Sequence, residues 1–330
     1  MAAALSLPHP LLVGDIGGTN ARFALVATPG GPVGPVWRTR TADAPGPAEA
    51  IARLGAFPRT VVLCTAGPVA DRRCHLTNAD WVVDGPELAA ALNLEQGLLL
   101  NDFEALALSL PALGDGAAAP IGPELPPGGG PRLVLGPGTG LGVGALVDAG
   151  GRLAALASEA AHLDFAAPDG DAAILARTAR VDGRLTAEAV LSGPGLLRLH
   201  AARCALDGEA RAVADGVALV DAALADPAGP EARTVALFLR LLAGFAGDMT
   251  LAFAATGGVW LGGGILPRLR PLIDPVAFRA AFEAKAPVEW LPRRVPVRLI
   301  MSPDAVLAGM AAMAADPNRF LIDWPERLWR

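Results

Sequence analysis

Two short apolar strands, each broken by a run of glycines and followed at once by another strand, constrain this chain more than any other feature. The first runs from Leu11 into Gly14-Asp15-Ile16-Gly17-Gly18-Thr19-Asn20 and out through Ala21 to Val26. The second runs from Leu133 into Gly136-Pro137-Gly138-Thr139-Gly140-Leu141-Gly142 and out through Val143 to Val147. At an offset of 121 residues Gly17 falls on Gly138, and Ala24-Leu25-Val26 on Ala145-Leu146-Val147. We read this as a weak internal repeat: two similar lobes, each offering a glycine-rich hairpin. Glycine lets a backbone approach an anion and turn its N–H groups toward it, so two such loops suit a polyphosphate held by both. Neither loop is a Walker A or Rossmann fingerprint, because no lysine follows the glycines and a strand, not a helix, comes next. For the first loop a plain turn with Asp and Gly at the bend is an equal account. Four glycines and a threonine within seven residues exceed a hairpin's needs at the second.

The rest of the pattern is mixed α/β. Val33 to Thr39 is a third strand, Ala48 to Leu54 a short helix, and Thr60 to Thr65 a buried strand by its length and β-branching. Asp84 followed by Pro86 and Glu87 opens a helix. Leu98 to Leu100 is a strand ending at Asn101-Asp102, with a helix from Phe103 to Leu110. Asp115 to Pro131 is rich in Gly, Ala and Pro and reads as a loop. From the second glycine hairpin to about Ala255 the pattern is largely helical, then come strands at Val259 to Leu261 and Val295 to Met301 and a helix from Asp304 to Ala315. The expected domains are a small α/β lobe at 1–111, completed by a C-terminal helix within 304–330, and a large α/β lobe at 112–303.

Composition narrows the function classes. A chain of 330 residues with 52% hydrophobic and 18% charged residues buries a sizeable core without difficulty. The net charge is −6 and there is no basic cluster, which argues against nucleic acid. Lys285 is the only lysine and tyrosine is absent, so lysine or tyrosine catalysis has almost nowhere to reside. Mean hydropathy is +0.42, yet the run from Met249 to Pro267 is cut by glycines, so no membrane span is expected. Cys64, Cys74 and Cys204 are widely spaced and odd in number, which suits a reduced cytoplasm.

Candidate site residues follow from the motifs. Asp15, at the first glycine loop, is placed to hold Mg²⁺ through water, since Mg²⁺ keeps several waters and takes few carboxylates. Asp102 sits where a strand gives way to a helix, as an exposed base would, although a capping role for Asn101 or Asp102 is locally the simpler account. Glu159, His162 and Glu188 are polar groups in apolar surroundings and suit sugar hydroxyls, while a helix-surface glutamate and a satisfied core histidine are the plain alternatives. Gly262-Gly263-Gly264, after the strand 259–261, leaves bare backbone for a flat ring or ribose, against which stands a tight turn.

Taken in order, these motifs, with Leu191-Ser192-Gly193-Pro194-Gly195 between them, resemble the bacterial glucokinase family over about Leu11 to Ala315. That family belongs to the actin, hexokinase and heat-shock chaperone superfamily. The resemblance implies an α/β fold of two lobes with ribonuclease-H-like cores around a central cleft, consistent with the repeat. It implies Mg-ATP-dependent phosphorylation of glucose to glucose 6-phosphate, the entry to glycolysis, with Asp102 as general base. It implies that Asn101, Asp102, Glu159, His162 and Glu188 bind the sugar. Gly14, Asp15, Ile16, Gly17, Gly18, Thr19, Gly138 and Thr139 would bracket the ATP phosphates, with Gly262, Gly263 and Gly264 by the adenosine. Family members commonly form homodimers, so a homodimer is the assembly implied. One departure stands out: the family usually places two glycines between the glutamate and histidine, where this chain has Ala160 and Ala161. If those positions require φ > 0, alanine is costly there. The Cys-rich zinc motif of the neighbouring repressor-and-sugar-kinase group is absent. A kinase for another hexose, a catalytically impaired sugar sensor and a nicotinamide-dependent dehydrogenase are the alternatives. The intact Asp102 and loops weigh against the sensor, and the missing Rossmann spacing against the dehydrogenase.

Overall fold

The computed structural model describes residues 5–76, 79–166, 170–209 and 213–330. The chain divides into two compact units. One takes the chain up to Gly114, Leu146–Leu156 and Pro303–Arg330, and the other takes Asp115–Ala145 and Ala157–Ser302.

The first seven strands are Leu11–Ile16 (β1), Asn20–Val26 (β2), Trp37–Arg40 (β3), Thr60–Thr65 (β4), Arg73–His75 (β5), Val82–Asp84 (β6) and Gln96–Asn101 (β7). Five of them form a sheet in the order β3-β2-β1-β4-β7, and β5 and β6 form a separate ribbon. β1 is antiparallel to β2 and parallel to β4, and β4 is parallel to β7. All six residues of β4 are buried, as expected of a central parallel strand covered on both faces. Gly14 lies inside β1, where an added Cβ would meet the side chains of Phe23 and Leu63 at 2.6–2.9 Å. Its missing side chain is therefore a packing requirement of the core. Helix Asp102–Ser109 follows β7, and helix Ala305–Ala315 packs on it, with Gly309 lying directly against Ser109.

The remaining strands are Ala118–Pro120 (β8), Arg132–Pro137 (β9), Leu141–Asp148 (β10), Leu153–Ser158 (β11), Gly258–Leu261 (β12) and Val297–Ile300 (β13). Their sheet runs β11-β10-β9-β12-β13-β8. Its first five strands repeat the order of the first sheet, hairpin-to-parallel, with β9 in the place of β1 and β12 in that of β4. The sequence repeat was thus the trace of a repeated topology. β8 and β11 depart from the sequence reading, which had a loop at 115–131 and helix after the second hairpin. β8 is three residues on a sheet edge, too short for a period to show. β11 is Leu-Ala-Ala-Leu-Ala-Ser, a composition that favours helix by propensity and is held as strand by its neighbour.

Among the described residues one helix, Pro230–Ala252, is long and apolar enough to cross a membrane, but 67% of its apolar window is buried inside the fold. It packs against helices Gly193–Asp207, Gly216–Ala225 and Pro275–Glu283, and its apolarity is that of a core helix.

Candidate active site

In the first unit the glycine turn, Asp15 and Asp102 are set by the ends of β1 and β7. Gly17 N–H donates to the Asn20 carbonyl at 2.9 Å, closing the turn, and Thr41 ties it down through its N–H to Thr19 O (3.0 Å) and its hydroxyl to Gly18 O (2.9 Å). Ile16 is fully buried, so only its backbone faces the turn. Asp15 stands opposite Arg22 across the hairpin and pairs with its guanidinium. The Cys64 thiol lies 3.5 Å from Asp15 Oδ1. Burial, then the charges of Asp15 and Asp102, push that thiol well up, so it stays neutral.

Asn101 caps the helix that Asp102 begins. Its Oδ1 accepts from Phe103 N (3.0 Å) and Glu104 N (3.3 Å), and its Nδ2 donates to Gly67 O (3.1 Å). Glu104 completes a capping box, its carboxylate accepting from Asn101 N at 3.3 Å. The capping account from sequence therefore holds, and it leaves Asp102 as the first helical residue with its Oδ1 accepting from Phe103 N at 2.9 Å. Burial pushes the Asp102 carboxyl up to about 6, the nearby Asp15 charge adds to this, and the Phe103 N–H bond opposes it. The carboxyl is thus ionised at neutral pH and basic enough to take a proton.

In the second unit the loop 138–140 and the triplet 262–264 adjoin. Gly262 N–H donates to Leu135 O at 2.9 Å, and a Cβ on Gly136 would collide with the Gly262 carbonyl. Gly263 has φ +89° and backs onto the Pro137 carbonyl. Gly138 and Gly264 are different. Neither has positive φ, and a Cβ on either would meet nothing within 4 Å. Among the described residues, neither turn geometry nor packing requires glycine at these two positions. Thr139 sits between Gly138 and Gly140, whose ends are joined by a 2.7 Å bond from Gly138 N to Gly140 O.

The sugar-binding candidates of this unit lie on adjoining segments. Phe165 N–H donates to Leu185 O (2.8 Å) and Ala187 N–H to Leu163 O (3.0 Å), stapling the turn that carries Glu159 and His162 to the helix Ala187–Val190 that carries Glu188. Glu159 and His162 are largely exposed, with His162 Nε2 3.5 Å from Glu159 Oε2. Glu188 is half-buried against the glycine loop, its Oε2 accepting from Leu141 N at 2.9 Å. Ala160 and Ala161 form a 3₁₀ turn with His162, both buried and neither at positive φ. The departure from two glycines costs no backbone strain.

The match to known proteins is continuous along this frame. The chain matches the glucokinase family over residues 12–317. It belongs to that family. Glucokinase of Sinorhizobium medicae (strain WSM419) is 40% identical over 331 residues, 98% of each chain, and glucokinase of Rhizobium meliloti (strain 1021) is 39% identical over the same span. The crystal structure of a glucokinase from an Antarctic psychrotroph has a TM-score of 0.81 at 31% identity, covering 93% of this chain and 98% of that one. A glucokinase from Balamuthia mandrillaris in complex with glucose has a TM-score of 0.76 at 20% identity, with 92% and 93% covered, a likeness of fold alone.

Sequence reasoning missed Arg22 and Arg327. Arg22 was readable once β1 and β2 were a hairpin, because the register that pairs Leu11 with Val26 pairs Asp15 with Arg22. Arg327 had no sequence signal. It reaches Glu104 from 223 residues away.

Proposed function

We propose that the protein transfers the γ-phosphoryl group of ATP to the 6-hydroxyl of glucose, the entry step of glycolysis, and that its two units are lobes with ribonuclease-H-like cores. The observation that carries the mechanism is Asp102, a carboxylate at a strand-to-helix junction that burial raises to about 6. Asp102 takes the proton of the 6-hydroxyl. The O6–P bond forms as the bond from the γ-phosphorus to the β,γ-bridging oxygen breaks, and ADP leaves. Positioning does most of the work in such a transfer. Asn101, Glu159, His162 and Glu188 hold the other hydroxyls. The backbone N–H groups of Gly18, Thr19 and Thr139 face the phosphates, while the Gly17 and Gly138 N–H groups close the two turns onto Asn20 O and Gly140 O and so hold the loops in shape. The bare backbone at Gly262 to Gly264 receives the adenosine.

The chain's donors fit Mg²⁺ only sparsely, as that ion prefers. Among the described residues no group of three or more His, Cys, Asp or Glu is gathered for a metal, and Asp15 is a single carboxylate already paired with Arg22. Asp15 would therefore hold the ion through water, and the bound ion would offset phosphate charge. The three cysteines are buried and widely spaced in the sequence, which supports a reducing, cytoplasmic setting.

Coupled assay of ADP formation with ATP, Mg²⁺ and a panel of hexoses tests this reading. Activity with glucose supports it. Activity confined to another hexose moves the substrate and keeps the mechanism, and sugar binding without turnover favours a sensor. Glu188→Gln should raise the KM for glucose by about tenfold or more with kcat less affected, because glutamine keeps an acceptor for Leu141 N but loses the charge that strengthens a hydroxyl bond. An unchanged KM would remove Glu188 from the sugar site. Gly136→Ala should raise the KM for ATP and cost about 1–3 kcal/mol in urea unfolding, since the methyl forces apart the two glycine segments. Wild-type ATP affinity in a folded variant would detach those segments from nucleotide binding.

A further inference from the structure

Arg327 is far from Asp102 in sequence and close to it in connection. Its Nη1 and Nη2 donate to the two oxygens of Glu104 at 2.5 and 2.9 Å, and Nη2 also donates to Leu99 O in β7 at 3.0 Å. Glu104 is the acceptor for Asn101 N, Asn101 is the acceptor for Phe103 N, and Phe103 N is the donor to Asp102 Oδ1. One guanidinium thus braces the last turn of the strand and the first turn of the helix at the junction that carries Asp102. A bidentate pair of this kind fixes orientation as well as position.

The segment that carries Arg327 is itself anchored. Trp329 N–H donates to Gly97 O at 3.1 Å and Gly97 N–H to Trp329 O at 2.9 Å, a strand-like bridge to β7. The Trp329 indole is 1% exposed and occupies the space over Gly85 and Gly97. Arg72 Nε adds a bond to Glu326 O at 2.7 Å. Glu104 and Arg327 side chains are 13% and 29% exposed, so the pair is sheltered from solvent.

We propose that Arg327 is a positioning residue for phosphoryl transfer, holding Asp102 in register with the acceptor hydroxyl through Glu104 and Asn101. The inference rests on the reading of Asp102 as the base. Small displacements of a catalytic group cost turnover steeply, so the effect belongs chiefly in kcat; KM for ATP should not move, and any rise in KM for sugar, which Asn101 also holds, should be the smaller change.

The test is a kinetic cycle on the full chain, with Arg327→Met, Glu104→Ala, the double variant, Arg327→Lys and Asp102→Asn, at a temperature where circular dichroism shows all folded. Arg327→Met and Glu104→Ala should each lower kcat on the order of tenfold with KM for ATP unchanged and KM for sugar changed by less than kcat, and the double variant should be no worse than either. Arg327→Lys, which keeps the charge but not the fork, should recover part of the loss. Wild-type kcat in folded Arg327→Met, additive losses in the double variant, or a loss confined to KM would each overturn the proposal while leaving Asp102 in place. Near-normal turnover in Asp102→Asn would overturn the base assignment and this proposal with it.

Discussion

Asp102→Asn should lower turnover by about 10²–10⁴ and at the same time raise the unfolding temperature. Both effects come from one carboxyl group. As a base it must be ionised, and its raised value of about 6 means that turnover in the wild type falls as pH drops through that value. Asparagine is nearly isosteric, and its Oδ1 can still accept from Phe103 N as the aspartate does at 2.9 Å, so the helix start survives. What it cannot do is take the proton. A variant retaining near-normal turnover would exclude Asp102 as the base.

The stability half has a definite sign. Asp102 rises from 3.8 unfolded to about 6 folded, so between those values the folded protein binds more protons than the unfolded one. Stability is therefore lost as pH rises through that window, and the full penalty is present above pH 6. Each pK unit corresponds to about 1.4 kcal/mol. Discounting for the solvent that reaches a half-buried side chain, the ionised carboxylate costs roughly 1–2 kcal/mol. Asp102→Asn removes that cost. The gap in melting temperature between variant and wild type should be small at pH 4 and open by pH 7, and a gap that stays constant with pH would rule out this origin. A carboxylate kept where it destabilises the fold is what a catalytic site requires.

How much of this was legible from residues alone differs by element. β4 was read to the residue, because six consecutive apolar and β-branched positions between breakers allow little else. The helix after Asp84 was read from its cap, and Asp84 does accept from Glu87 N at 3.1 Å. The family was legible from ordered glycine motifs. What each glycine does was not. Gly14, Gly136 and Gly140 lack side chains because Phe23, the Gly262 carbonyl and the Glu188 carboxylate occupy the space, whereas Gly138 and Gly264 face open space. Only the fold separates a glycine that packing requires from one that stands in the open, because both leave the same letter. Long-range pairs such as Arg327 with Glu104 are invisible for a related reason: no local period or cap connects them.

Trp329→Ala should destabilise the first unit by about 3–5 kcal/mol, the usual cost of emptying a buried tryptophan site. The side chain is 1% exposed and among the largest fully buried in the protein. Its neighbours show that the site was built around it. An added Cβ on Gly97 would overlap the indole, and one on Gly85 would stand 2.6 Å from it, so both glycines are matched to this one ring. That complementarity makes a sharper test than the single variant. Gly97→Ala alone should be strongly destabilising, because the methyl must displace the ring. In a Trp329→Ala background the same change should cost little, because the space is already vacant, so the two losses will not add. The indole Nε1 is buried and has no hydrogen-bond partner among the described residues, and Trp329→Phe, which removes that donor and keeps most of the ring, should cost far less than alanine. Urea unfolding of the four variants decides the matter. Additive losses for Gly97 and Trp329 would mean that the ring is not what the glycines accommodate.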